Sequence, residues 1–311
     1  MEQDLIHGAF DMHVHSSPDI APRKTDDLEL ARAAAAAGMG GILLKAHHGS
    51  TVERAYLVEK MVPNIRVFGS LVLNYPVGGL NPNAVDAYVR LGAKEVWMPS
   101  LSAEYTLNYQ KAHLSIEDRI AFNRAHGASP ISKAKPEDPW PWSRNGQGIS
   151  IFDGNGKLLQ EVWDILEILA ANDAILGTGH LSAPETLALV EAAQQKGVKR
   201  ILATHPEYMA PLTVEDQLVL ARKGVFFERC FVCTTPDSRV VGGGLPFDVI
   251  TKNIRAVGVE STVLGTDFGQ AKNVHPVMAM KDYVQQLYEA GFTAREIESM
   301  AVKTPASLLN I

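Results

Sequence analysis

Phe10-Asp11-Met12-His13-Val14-His15-Ser16-Ser17-Pro18 is the stretch whose reading decides the fold. An apolar, extended run carries two histidines two residues apart and breaks at Ser-Ser-Pro. In a β-strand, residues two apart point to the same side, about 6.5–7 Å apart along the chain. Two imidazoles so placed can lean onto one metal ion at about 2.0–2.1 Å each. The pair alone is equally compatible with a His-x-His in a buried strand or a surface loop. The ends of the later strands decide between these.

Working outward, short apolar runs alternate with longer helical patterns, the signature of βα units and a parallel sheet. Strands are expected at about 8–15, 41–47, 65–73, 95–98, 174–180, 200–205, 224–231 and 262–267. Helices are expected at 26–37, 51–61, 82–91, 160–172, from 183 on, and at 213–223, 247–257 and 276–290. Eight strands and eight helices in alternation, with no visible linker or repeat, predict a single α/β domain, a (β/α)8 TIM barrel. A doubly wound sheet is the alternative, weakened because the first βα turn lacks G-x-G-x-x-G. An irregular insertion follows strand 4, at about 101–158. Trp140 and Trp142 beside prolines suggest an ordered lid, and a small hairpin is expected from Ile149 to Leu159. The tail, 294–302 with a last turn at 304–310, reads as surface helix.

Composition narrows the class. With 311 residues, 46% hydrophobic and 21% charged, the chain can bury a full core. A net charge of −6 and a pI near 5.9 argue against nucleic acid or an anionic membrane as partner. No run reaches the roughly 18 apolar residues that span a bilayer. Met1-Glu2-Gln3-Asp4 lacks the basic start of a signal peptide. The two cysteines, Cys230 and Cys233, are too few for a disulfide framework and sit in an apolar run, so packing is their expected role. A cytoplasmic homo-oligomer acting on a small molecule is the expectation.

Ligand-type residues fall where the strands end: His13 and His15, then Lys45, His47 and His48, then His180, His205 and Asp267. In a barrel, all these ends face one mouth, where catalytic groups gather. Taken singly, His180 is also readable as a helix cap, His205 as a loop residue and Asp267 as a cap. A carboxylate beside water at a metal is, however, the base that hydrolysis needs.

The order and spacing of His13-Val14-His15 on strand 1, His180 on strand 5, His205 on strand 6 and Asp267 on strand 8 resemble the metal-dependent amidohydrolase superfamily, over nearly the whole chain. The resemblance implies a (β/α)8 barrel with one or two divalent ions, usually Zn2+, that hydrolyses amide, ester or phosphoester bonds. By that likeness His13, His15 and Asp267 hold the first ion, and His180 and His205 the second. Asp267 moves the proton. If one ion is bound, His205 instead polarises the substrate carbonyl.

Two-metal relatives usually supply a bridging carbamylated lysine or a glutamate from strand 4. Here Val96-Trp97-Met98-Pro99 offers neither, and carbamylated Lys45 on strand 2 is the expected substitute. Its alternative is an ion pair with Asp267 or Glu228. Substrate contacts are expected from His47, His48, Asn74, Glu228 and Arg229. Three other readings stay open: a phosphoesterase like histidinol phosphatase, a mononuclear deaminase or decarboxylase, and a metal-binding barrel without turnover. The phosphoesterase is weakened because Asp267-Phe268-Gly269 lacks that group's closing histidine.

Overall fold

The apolar runs become short parallel strands: β1 (Phe10–Val14), β2 (Gly41–Leu44), β3 (Arg66–Phe68), β4 (Ser70–Val72), β5 (Glu95–Trp97), β6 (Ile175–Gly177), β7 (Ile201–Thr204), β8 (Phe226–Cys230) and β9 (Thr262–Gly265). The computed structural model of the chain describes residues 5–113, 143, 146–236, 238 and 243–311. The strands pair in chain order, β1-β2-β3 and β4 through β9.

Segments β3 and β4 are one predicted strand, interrupted at Gly69. A Cβ there would lie 2.3 Å from the Cα of Val52, so only glycine lets the start of helix Val52–Met61 press this close. Thr51 fills the gap in the ladder. Its backbone NH donates to Ser70 O (3.0 Å), its hydroxyl donates to Leu44 O (2.7 Å), and Ser70 NH donates to that hydroxyl (2.9 Å).

At the other seam, Asp267 NH donates to His13 O (2.7 Å) and His15 NH to Phe268 O (2.8 Å). Below them the Asp11 carboxylate accepts from the backbone NH and hydroxyl of Thr266, at 2.8 and 2.5 Å. These contacts join β9 back to β1 and close the barrel, as the sequence pattern predicts.

Helices Asp27–Ala36, Val52–Met61, Pro82–Leu91, Gln160–Asn172, Ala183–Lys196, Val214–Arg222, Phe247–Val257 and Pro276–Glu289 cover the outside. Several begin at reciprocal caps, such as Asp26 with Glu29 and Thr213 with Asp216, which satisfy otherwise orphaned backbone NH groups. None of the described helices is long and apolar enough to cross a membrane.

Inside, a floor of Phe10, Met12, Leu43, Phe68, Val72, Trp97, Ile175, Leu202 and Val263 is completed from below by Leu308 and Leu309. This corrects the surface reading of the tail. Ile297, Met300, Ala301 and Leu309 are fully buried, and Lys94 and Arg200 donate to the carbonyls of Leu309 and Leu308.

The insertion differs as well. Glu104–His113 is a helix where no periodicity was expected, because Thr106 is its one fully buried side chain and no apolar stripe announces it. The hairpin survives as an antiparallel bridge between Phe152 and Leu158. The expected lid tryptophans, Trp140 and Trp142, lie outside the described residues.

A candidate metal centre at the barrel mouth

Residue His13 reaches the site through an irregularity. Met12 packs in the interior floor, yet its neighbour His13 also points inward, to Glu228 and Asp267. Adjacent residues share a side only where a strand bulges, and the β1–β2 register shifts between Asp11 and Val14. Facing strands are kept bare to make room. A Cβ on Gly265 would meet the His13 Cβ at 3.0 Å, and one on Gly177 would meet the Trp97 ring at 2.3 Å.

Four histidines converge here, each tied down by Nδ1. His13 Nδ1 pairs with Glu228 Oε2 (2.9 Å), His15 Nδ1 with Lys45 O (2.9 Å), His180 Nδ1 with Thr106 Oγ1 (3.1 Å) and His205 Nδ1 with Tyr208 O (3.2 Å). Ring centroids lie 5.3 Å apart for His13–His15, 5.9 Å for His13–His205 and 4.8 Å for His180–His205.

A carbonyl oxygen only accepts, so His15 and His205 carry their proton on Nδ1 and present a bare Nε2. An alternative donor to His15 Nδ1, Arg23 Nη2, is more distant at 3.4 Å. Burial pushes His13 and His15 down to about 3 and His205 to about 4, so the rings are neutral at physiological pH. His15 Nε2 and His13 Nε2 nevertheless face the same oxygen, Asp267 Oδ1, at 3.0 and 3.2 Å. The bare Nε2 of His15, aimed at a carboxylate oxygen, is repelled unless a cation sits between them. This donor set therefore fits a divalent metal ion.

Asp267 is the hub. Burial raises its carboxyl, while protons carried toward it by His13, His15 and His205 would hold it well below the usual carboxylate range; with the rings neutral, a bound cation would take that part. Its second oxygen accepts a hydrogen bond from the Tyr208 hydroxyl, and Tyr208 lies against His205, centroids 4.4 Å apart. His205 and Asp267 both adopt positive φ, +27° and +52°. Such strain in a non-glycine residue costs roughly 1–3 kcal/mol and concentrates at functional positions.

Beneath the histidines lies a buried layer of ionisable groups. Lys45 is 1% exposed, and its Nζ has no hydrogen-bond partner among the described residues but sits 4.7 Å from the centre of the Trp97 ring. The alternative to a carbamate, an ion pair with Asp267 or Glu228, is not formed. Burial pushes Lys45 below, and Glu228 above, their ordinary values, the latter to about 8. Glu95, the first residue of β5, is fully buried, with neither oxygen hydrogen-bonded among the described residues. So strand 4 does carry a carboxylate: the strand is expected at 95–98, but the bridging ligand is sought only in Val96-Trp97-Met98-Pro99. Tyr208 and Cys230 were also missed. Tyr208 lies in a loop after His205-Pro206 with no periodicity to mark it, and Cys230 reads as one more apolar residue.

The expected substrate residues part company. His47 stacks on His15 at 4.9 Å between centroids and pairs with Ser100 Oγ (3.0 Å). His48 lies further out, 3.5 Å from Asp19. Asn74 is fully buried and accepts from the NH groups of Ser100 (2.9 Å) and Ser102 (3.0 Å) while donating to His47 O (3.0 Å). It braces the loops that carry His47.

Arg229 corrects the sequence reading. Side chains alternate along a strand, and with Glu228 turned inward Arg229 must face the helices. There it pairs with Glu207 and with Gln217 Oε1 (2.7 Å).

An acid test follows from the buried rings. His13, His15, His47, His180 and His205 are all pushed below the ordinary histidine value of 6.5. The unfolded chain therefore takes up protons near pH 6.5 that the fold refuses, and this contribution to stability is lost as pH falls from about 6.5 toward 3. Asp11, Glu95 and Glu228, pushed up by burial, act in the opposite sense but are fewer. The urea midpoint of chelator-treated protein should thus fall between pH 6.5 and 4.5. A flat profile over that range would contradict the neutral, buried histidines.

Comparison with solved structures identifies the architecture. An amidohydrolase from Pseudomonas aeruginosa superposes with a TM-score of 0.64 at 9% identity, covering 99% of this chain and 97% of that one. A probable dipeptidase from the same organism gives 0.61 at 12% identity, with 97% and 94% covered. A mutant organophosphorus hydrolase from Deinococcus radiodurans gives 0.55 at 14%, with 98% and 94% covered. At these identities the likeness is one of fold, the one these solved hydrolases share. No curated protein matches the sequence. A family model does match, over residues 8–228, and the chain therefore belongs to a family of unknown function, DUF6282.

Proposed function

We propose that this chain is a metal-dependent hydrolase of a small molecule, with His13, His15 and Asp267 as ligands of a first divalent ion and His180 and His205 of a second. The observation that carries this reading is the convergence of two neutral imidazoles on Asp267 Oδ1, at 3.0 and 3.2 Å, in a fold that the solved hydrolases share. An ion bound here would acidify water and polarise the bond to be cleaved. Imidazole donors favour zinc over magnesium or calcium.

The chain's own groups do the rest. Asp267, ionised and held by Tyr208, takes the proton from water and returns it to the leaving group. With one ion bound instead of two, His205, anchored through Nδ1, would offer its Nε2 to polarise the substrate carbonyl. Lys45 as a carbamate is the bridge we favour. Burial keeps its amine from carrying charge comfortably, and the neutral amine is the form that adds CO2.

Metal analysis tests the assignment. Purified protein should hold one to two divalent ions per chain, and His13→Ala with His15→Ala should bind none. Lys45→Ala should bind at most one, and Lys45→Glu should partly restore the second. Full metal content in the double histidine variant would end the assignment; two ions in Lys45→Ala would remove the bridge alone. A panel of amide, ester and phosphoester compounds, run with and without chelator, then identifies the bond cleaved.

A further inference from the structure

The inward end of β8 carries a thiol that the hydrolase reading leaves without a task. Cys230 is fully buried and unoxidised, and its Sγ lies 3.5 Å from His13 Nδ1. One donor atom from each of His13, Cys230 and Asp267 lies within 4.8 Å of the other two.

That spacing has a chemical meaning. Zinc–nitrogen and zinc–sulfur bonds of about 2.0–2.1 and 2.3 Å bring donors this close within reach of one ion, with Nε2 as the nitrogen His13 would offer, since its Nδ1 pairs with Glu228. A plain S–H···N contact accounts for the 3.5 Å to Nδ1, so the reading needs support from its surroundings. Two features supply it. His13 Nε2, in a residue with no exposure, makes no hydrogen bond among the described residues, although Asp267 Oδ1 stands 3.2 Å away. And Gly265 lets the β9 backbone press against both residues, since a Cβ there would lie 3.0 Å from the His13 Cβ and 3.4 Å from the Cys230 Sγ, which holds thiol and imidazole side by side.

We propose that the Cys230 thiolate is a metal ligand, completing with His13 and Asp267 the coordination of the first ion. The proposal rests on the metal-centre reading of this mouth and adds to it a soft donor from a strand the sequence pattern leaves out. With a thiolate in the set, preference moves toward zinc and cobalt and away from the hard ions magnesium and manganese. Thiolate and Asp267 together also balance the charge of a dication in a dry site.

Cobalt(II) reads the thiolate directly. The full-length chain, stripped with chelator and reloaded with cobalt(II), should show a near-ultraviolet sulfur-to-cobalt charge-transfer band beside its visible ligand-field bands. Cys233→Ser should keep that band. Cys230→Ser should lose it while still binding cobalt, more weakly by at least the ~10-fold that losing even an outer partner costs. Should Cys230→Ser fail to fold, Cys233→Ser decides, because the chain has two cysteines. Visible cobalt bands without the charge-transfer band would overturn the thiolate ligand and leave the metal centre standing. No cobalt uptake by the unaltered chain would overturn both.

Discussion

Asp267→Asn lowers kcat by on the order of 10²–10⁴, the scale of losing a positioned acid–base group, while the barrel stays folded and much of the metal stays bound. The asparagine amide oxygen can still face His13 and His15, which meet Asp267 Oδ1 at 3.2 and 3.0 Å. What it cannot do is take a proton. The Tyr208 hydroxyl, which donates to the second carboxylate oxygen, would face an amide NH2 in one of the two rotamers, so the oxygen is steered toward Tyr208 or toward the metal but not both. A modest fall in metal affinity therefore accompanies the loss of rate. The check is kcat and metal content on the same preparation, with whichever substrate the panel identifies. Near-normal turnover would show that Asp267 serves only to close β9 against β1.

Replacing Arg229 acts on stability instead. Arg229 and Glu207 are both without side-chain exposure, with Gln217 Oε1 2.7 Å from the guanidinium and Asn253 Nδ2 3.2 Å from the carboxylate. Arg229→Met keeps the apolar stem but strands the Glu207 charge in the sheet–helix layer. Removing one partner of a buried pair costs roughly 3–5 kcal/mol. Adding Glu207→Gln to the same chain should recover a good part of that, since a buried amide is less costly than an unpaired carboxylate. Urea unfolding of the three proteins measures it. Unchanged stability with a raised KM would instead return Arg229 to the substrate side, where the sequence alone puts it.

That exchange shows what the sequence can and cannot convey. Alternating apolar runs and helical patterns locate the eight βα units, because burial on both faces of a parallel strand leaves little else for those positions. His13, His15, His180, His205 and Asp267 are readable because strand ends share one mouth. Arg229 is misplaced because it reads onto the same face as its neighbour Glu228, whereas side chains alternate along a strand. Glu95 lies in the strand expected at 95–98 but at its first position, away from the strand ends where ligands are sought. Tyr208 comes to Asp267 from 59 positions away in the chain, through a loop that follows no period. The tail was read as surface because its short helices look amphipathic in isolation; only the barrel floor shows what their apolar sides meet.

The seam between β1 and β9 has a consequence for how the molecule comes into being. Strand β1 is made early, yet its hydrogen-bond partner across the seam, from Asp267 to Phe268, is some 250 residues away, and the floor beneath it awaits Leu308 and Leu309. During synthesis, β1 can pair only with β2, and its other edge stays open until nearly the whole chain has been translated. Open strand edges invite pairing with other chains, and contacts so distant in sequence form slowly. The histidines of β1, first of the site to be made, are among the last to find their neighbours.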